Sequence, residues 1–126
     1  MTSRVLDASV ILAIANNEPY DTDLLSVFDG AVMSAVNFAE VITRLLDLGI
    51  DVSSTPVQRA LFLLSTIEPF TATQGRIAGE LRRLGKNIAL GDRACMALAI
   101  DLGAELYTAD TKWAEFDIGV NIHLIR

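Results

Sequence analysis

The sequence predicts an α/β protein in which helices cover both faces of a parallel sheet. Short apolar runs alternate with longer stretches of helical period along the whole chain, the order that builds parallel strands through helical crossovers. The short runs are apolar at nearly every position, as strands are when both faces are covered. Of the 126 residues, 52% are hydrophobic, enough core for one domain spanning 1–126.

The elements follow in order. "VLD" reads as a short buried strand, and "ASVILAIANN" as a helix that stops near Asn16 and Asn17, before Pro19. "DTDLLSVF" is a short helix ended by Gly30, and "AVMS" a second strand. "VNFAEVITRLLDLG" is amphipathic, with Phe38, Val41, Ile42, Leu45 and Leu48 on one face and Gly49 as its stop. "STPVQRALFLLST" is a helix with Pro56 in its first turn, and "IEPF" a third strand. "TATQGRIAGELRRLG" is a helix closed by Gly85. "GDRACMALAIDLG" is another, opened at Asp92 and closed by Gly103. "AELYTAD" is a fourth strand, "TKWAEF" a helical turn and "GVNIHLIR" the last strand.

Composition removes several chemistries. A single His and a single Cys exclude the usual His/Cys zinc site and any internal disulfide. A reducing cytoplasm fits that cysteine usage. No stretch reaches the roughly 18 uncharged apolar residues of a membrane helix. The opening "MTSRVLD" lacks the apolar region of a secretory signal. The net charge of −6 argues against coating nucleic acid by bulk attraction, but not against a nuclease that holds the backbone through metal ions and a few local cations. Carboxylates are the material left for catalysis, and they favour hard cations such as Mg²⁺ or Mn²⁺.

Asp7 stands at the carboxyl end of the first strand and Asp110 at that of the fourth; Glu40 follows the second closely, and Asp92 follows a loop. In open parallel sheets, sites form beyond the carboxyl ends of the strands. Each acid also has a plain structural use. Asp7, Asp92 and Asp110 suit helix N-caps, and Glu40 suits an i, i+4 pair with Arg44. The functional case is joint. Capping accepts Ser, Thr or Asn equally well, yet all three positions are Asp. Clustered carboxylates raise one another's pKa, and a divalent cation removes that penalty.

Four segments in this order resemble PIN-domain ribonucleases, specifically the VapC-type toxins of prokaryotic toxin–antitoxin pairs. They are "VLDASVILA", "NFAEV", "LGDRACMALA", and "LYTADTKWAEF" followed by "GVNIHLIR". The resemblance covers essentially the whole length. It implies a three-layer α/β/α sandwich with a short, mostly parallel central sheet. It also implies that Asp7, Glu40, Asp92 and Asp110 match the family's acidic quartet, which holds one or two Mg²⁺ or Mn²⁺ ions and positions the attacking water. Ser9 and Thr108 match supporting hydroxyls, and Asp117 lies near a further acid used in some relatives. Ala8 stands where many relatives carry Thr, but Ser9 keeps a hydroxyl beside it. Arg93 and Lys112, next to these acids, are candidates for phosphate contact or for plain solvated positions. The implied activity is metal-dependent endonucleolytic cleavage of RNA, leaving a 5′-phosphate and a 3′-hydroxyl. The implied partners are a small cognate antitoxin and a second copy of the chain.

Other readings fit less well. A phosphotransfer receiver needs an Asp after the third strand, where "TATQ" stands, and a haloacid-type phosphatase needs Asp at position 9, which is Ser. "GELRRLGK" has five residues between Gly79 and Gly85, where a phosphate loop has four, and Asn87 follows Lys86 in place of Ser or Thr. His123, Cys95, Trp113 and Tyr107 read first as edge or packing residues. The rival from another class is a catalytically silent PIN-like domain that only binds a partner.

Overall fold

Residues 3–126 are described by a computed structural model. The strands are β1 (Arg4–Leu6), β2 (Ala31–Ser34), β3 (Leu64–Glu68), β4 (Glu105–Thr108) and β5 (Ile122–Leu124). They form one sheet in the order β3-β2-β1-β4-β5, and every neighbouring pair is parallel. The helices are α1 (Ala8–Ala15), α2 (Leu25–Phe28), α3 (Ala35–Asp47), α4 (Thr55–Phe62), α5 (Ala72–Glu80) and α6 (Leu90–Leu102). Three 3₁₀ turns, Thr22–Leu24, Leu81–Leu84 and Thr111–Glu115, complete the chain.

Side-chain alternation in β1 creates two cores. Leu6 packs with Ile11, Met33, Val41, Leu45 and Val57 under α1, α3 and α4. Val5 points the other way and packs with Met96, Leu98, Leu106 and Trp113 under α5 and α6. The result is an α/β/α sandwich in which β1, β2 and β4 are mostly buried, while β3 and β5 are more exposed edge strands. None of the described helices is long and apolar enough to cross a membrane.

Several boundaries differ from the sequence pattern, among them the helix expected to run to Gly85, which gives way to a 3₁₀ turn after Glu80. The helix expected through Thr66 ends at Phe62, and Leu64–Glu68 forms β3 instead. The apolar run is compatible with a helix, but Thr66 and Ile67 are β-branched and pair with Val32 and Met33 of β2. Tertiary pairing decides. In α3, Val41 and Leu45 are fully buried, whereas Leu48 lies beyond the last helical turn and is 48% exposed.

Candidate metal centre

Three of the acids sit where the chain leaves the sheet or re-enters a helix. Asp7 follows β1 and caps α1, accepting from Ser9 N at 3.4 Å. Asp110 follows β4 and caps the 3₁₀ turn, accepting from Lys112 N at 3.0 Å. For these two, the capping use that the sequence suggested is present. Asp92 is different. The helix expected to open at Asp92 begins at Leu90 with Ala89 as its cap, so Asp92 lies inside the first turn and its carboxylate is not used as the N-cap.

Asp7 is the anchor. It is only 6% exposed. Ser9 Oγ donates to its Oδ2 at 2.7 Å, and Thr108 Oγ1 donates to the same oxygen at 3.1 Å. Ser9 Oγ in turn accepts from Ala109 N at 2.9 Å, and Thr108 Oγ1 from Asp110 N at 3.0 Å. The two hydroxyls therefore tie Asp7 to the backbone of the segment that carries Asp110. All of these bonds to Asp7 fall on Oδ2, which leaves Oδ1 without a protein donor among the described residues.

Glu40 is held differently. Asn37, one helical turn earlier and completely buried, donates Nδ2 to Glu40 Oε1 at 2.7 Å and to Gly91 O at 2.9 Å. The Glu40 carboxylate lies so close to Gly91 that a Cβ there would fall 2.6 Å from Oε2. The close approach is to the end of the Glu40 side chain, so any side chain at position 91 displaces that carboxylate. Glu40 makes no ion pair with Arg44, the alternative use the spacing suggested. Asn37 and Gly91 are site-building residues that the sequence did not single out. The available signal was the i, i+3 spacing of Asn37 and Glu40 on one helix face.

The electrostatics are those of a cation-deficient cluster. Burial pushes the Asp92 carboxyl up to about 6, with the charges of Asp7, Glu40 and Asp110 adding to the effect. Burial also raises Asp7, against the hydrogen bonds from Ser9 and Thr108, and Glu40 adds to the rise. Among the described residues the ion pairs are Arg76–Glu80 and Arg126–Glu18, His123 lies 3.3 Å from Glu105 Oε1, and none of these contacts involves the four acids. All-oxygen donors without a cationic partner suit a hard divalent ion. The acids are not drawn tightly together: among the described residues, no three Asp, Glu, His or Cys side chains form a group that could hold a metal directly. Ligation bridged in part by water, which Mg²⁺ readily retains, fits that spacing. Asp92 and Asp110 line one pocket with Lys112, while Glu40 lines a separate hollow with Arg44.

The remaining candidates separate. Lys112 faces the acidic pocket. Arg93 turns away, donating Nε to Ile88 O at 3.2 Å and Nη1 to Ala78 O at 3.0 Å. Asp117 is exposed and accepts from Gly119 N at 3.3 Å within its own turn. Trp113 and Tyr107 are buried in the cores, and Cys95 is a fully buried thiol. His123 lies on edge strand β5, stacked on Tyr107 and 3.3 Å from Glu105 Oε1.

A parallel sheet in this order, with carboxylates gathered about the ends of β1 and β4, defines a class. The chain belongs to the PIN-domain family, whose model matches residues 4–119. Its fold recurs in a toxin–antitoxin complex from Klebsiella pneumoniae, at a TM-score of 0.74 and 18% identity over 98% of each chain. It recurs in DNA-bound VapBC from Salmonella typhimurium, at a TM-score of 0.71 and 17% identity over 100% of each chain. It recurs again in the sarcin–ricin-loop-cleaving toxin VapC20 of Mycobacterium tuberculosis, at a TM-score of 0.69 and 18% identity over 92% of this chain and 98% of that one. No curated protein sequence matches the chain.

Proposed function

We propose that this protein is a Mg²⁺- or Mn²⁺-dependent endoribonuclease that acts as the toxin of a toxin–antitoxin pair. One observation carries the reading: Asp7, Glu40 and Asp110, from separate elements, lie near enough to Asp92 for their charges to act on its carboxyl, and none of the four has a cationic partner among the described residues. Neighbours of the same fold include a sarcin–ricin-loop-cleaving toxin, a toxin–antitoxin complex and a DNA-bound VapBC.

In this mechanism Asp7, Asp92 and Asp110 hold one or two ions directly or through water, and Glu40 holds an ion or orients the attacking water. When bound, the metal supplies charge relief at the phosphate and a more acidic water. Ser9 and Thr108 fix the Asp7 carboxylate so that its other oxygen is available. Lys112, beside Asp92 and Asp110, is placed to meet a phosphate oxygen. Arg93 is better read as a structural clamp, because two backbone carbonyls take its donors. The products carry a 5′-phosphate and a 3′-hydroxyl. A small antitoxin and a second copy of the chain are the proposed partners. Apolar surface for them exists at Phe62, which is 90% exposed, and Leu46, which is 67% exposed.

The silent-domain alternative draws on the loose spacing of the acids. Cleavage of total cellular RNA by the purified, antitoxin-free protein separates the two. Fragments formed with Mn²⁺ or Mg²⁺, and lost with EDTA or in Asp92→Asn, support the nuclease. An absence of cleavage together with an absence of Mn²⁺-induced thermal stabilisation supports the silent domain.

A further inference from the structure

The acidic pocket does not end at the acids. The hollow lined by Asp92, Asp110 and Lys112 shares Asn87, Ile88, Lys112 and Phe116 with a second, larger hollow of about 330 Å³. The two form one groove. Its far end is lined by Lys86, so the groove carries both lysines of the chain. In a protein of net charge −6 this placement is notable, because the remaining cations are arginines that line neither hollow. Phe116, partly buried against the core, and Ile88 supply apolar wall. Glu115 is the carboxylate on the groove's rim, opposite in sign to the lysines.

The groove wall is built rather than incidental. Gly85, at φ +147, ends the 3₁₀ turn Leu81–Leu84 and redirects the chain into Lys86, a backbone angle that other residues rarely adopt. Arg93 then fastens the segment by donating to Ile88 O and Ala78 O. Lys112 is fixed from the other side, where its backbone N–H donates to Asp110.

We infer that this groove is the track for single-stranded RNA leading away from the acidic centre, with Lys86 and Lys112 holding successive phosphates and Phe116 lying under a base. The inference rests on the ribonuclease reading and deepens it by naming a substrate-binding surface. A cationic groove with an aromatic wall is the general form of single-strand recognition. Arg93 acts here as a positioning residue for Lys86, through Ile88.

The test is fluorescence anisotropy with a fluorescein-labelled single-stranded RNA of about twelve nucleotides, in EDTA so that nothing is cut. Lys86→Ala is expected to raise Kd about three- to tenfold and to lower the salt-dependence slope by about 0.7, the value of one lost phosphate contact on a single strand. Lys86→Arg restores both, and Arg76→Ala on α5 matches the parent. Unchanged affinity and slope in both Lys86→Ala and Lys86→Glu overturn the inference, and a groove that seats a protein partner gives that result. Failure of the parent to bind the RNA overturns it as well. Cleavage with Mn²⁺ is scored separately. A parent that binds through Lys86 but never cuts refutes the nuclease and leaves the groove standing. A parent that cuts, with Lys86→Ala unchanged in KM, refutes the groove alone.

Discussion

Asn37 Nδ2 donates to Glu40 Oε1 at 2.7 Å, and the same amide reaches Gly91 O at 2.9 Å. A single buried side chain thus sets the position of one acid on α3 and ties it to the first turn of α6, next to Asp92. Removing it leaves Gly91 O without this donor. Asn37→Ala is expected to cost about 1–3 kcal/mol of stability, the usual penalty for stranding a buried polar group. Urea unfolding of the metal-free protein measures it; a loss within error of zero would show that α3 and α6 do not depend on this bridge.

Gly91→Ala separates fold from site. The added Cβ would fall 2.6 Å from Glu40 Oε2 and 2.7 Å from its Cδ. Both atoms belong to the end of a flexible side chain, so the backbone need not move. Alanine also favours a helix over glycine by up to about 1 kcal/mol. The expected result is an unchanged or slightly higher Tm with RNA cleavage reduced roughly a hundredfold, because Glu40 is displaced. Full activity in this variant would remove Glu40 from the mechanism.

On the proposed reading, Ser9 and Thr108 are expected to act on metal affinity rather than on the fold's overall shape. Both donate to Asp7 Oδ2. Ser9→Ala is expected to weaken Mn²⁺ binding about 10- to 100-fold, read by calorimetry, as loss of a carboxylate-orienting partner does at metal sites. Equal affinity in the variant would mean that Asp7 needs no such support.

The pH dependence of the metal-free protein has a defined sign. The Asp92 carboxyl is raised from 3.8 to about 6 in the fold. The stability contributed by its protonated form is complete below about 3.8 and is lost as pH rises through about 6. In EDTA, Asp92→Asn is therefore expected to have the higher Tm at pH 7, with the difference shrinking towards pH 4. Saturating Mn²⁺ should reverse the order at pH 7. A parent more stable than the variant at pH 7 without metal would mean that Asp92 carries no such penalty.

Much of the architecture was legible because burial on both faces leaves a plain mark. "VLD", "AVMS" and "AELYT" are too short and too apolar to be anything but covered strands, and all three lie in the sheet. β3 was displaced because "ALFLLST" satisfies helix and strand alike, and only pairing with β2 resolves it. Asp7 and Asp110 were legible as acids at strand ends, whereas Ser9 and Thr108 were expected as supporting hydroxyls only from the resemblance, and both bond to Asp7. Asn37 and Arg93 were not legible in their roles. Asn37 acts on Gly91, 54 positions away. Arg93 sits beside an acid in sequence but turns its donors to backbone carbonyls.

The bond from Thr108 to Asp7 spans 101 positions of the chain. During synthesis Asp7 emerges 101 positions ahead of Thr108. Contacts this distant in sequence form only after the intervening chain has closed on itself. The centre therefore has no partial form. A growing chain carries Asp7 and Glu40 long before β4 can pair with β1, so the centre is assembled only once the segment holding Thr108 and Asp110 has joined the sheet.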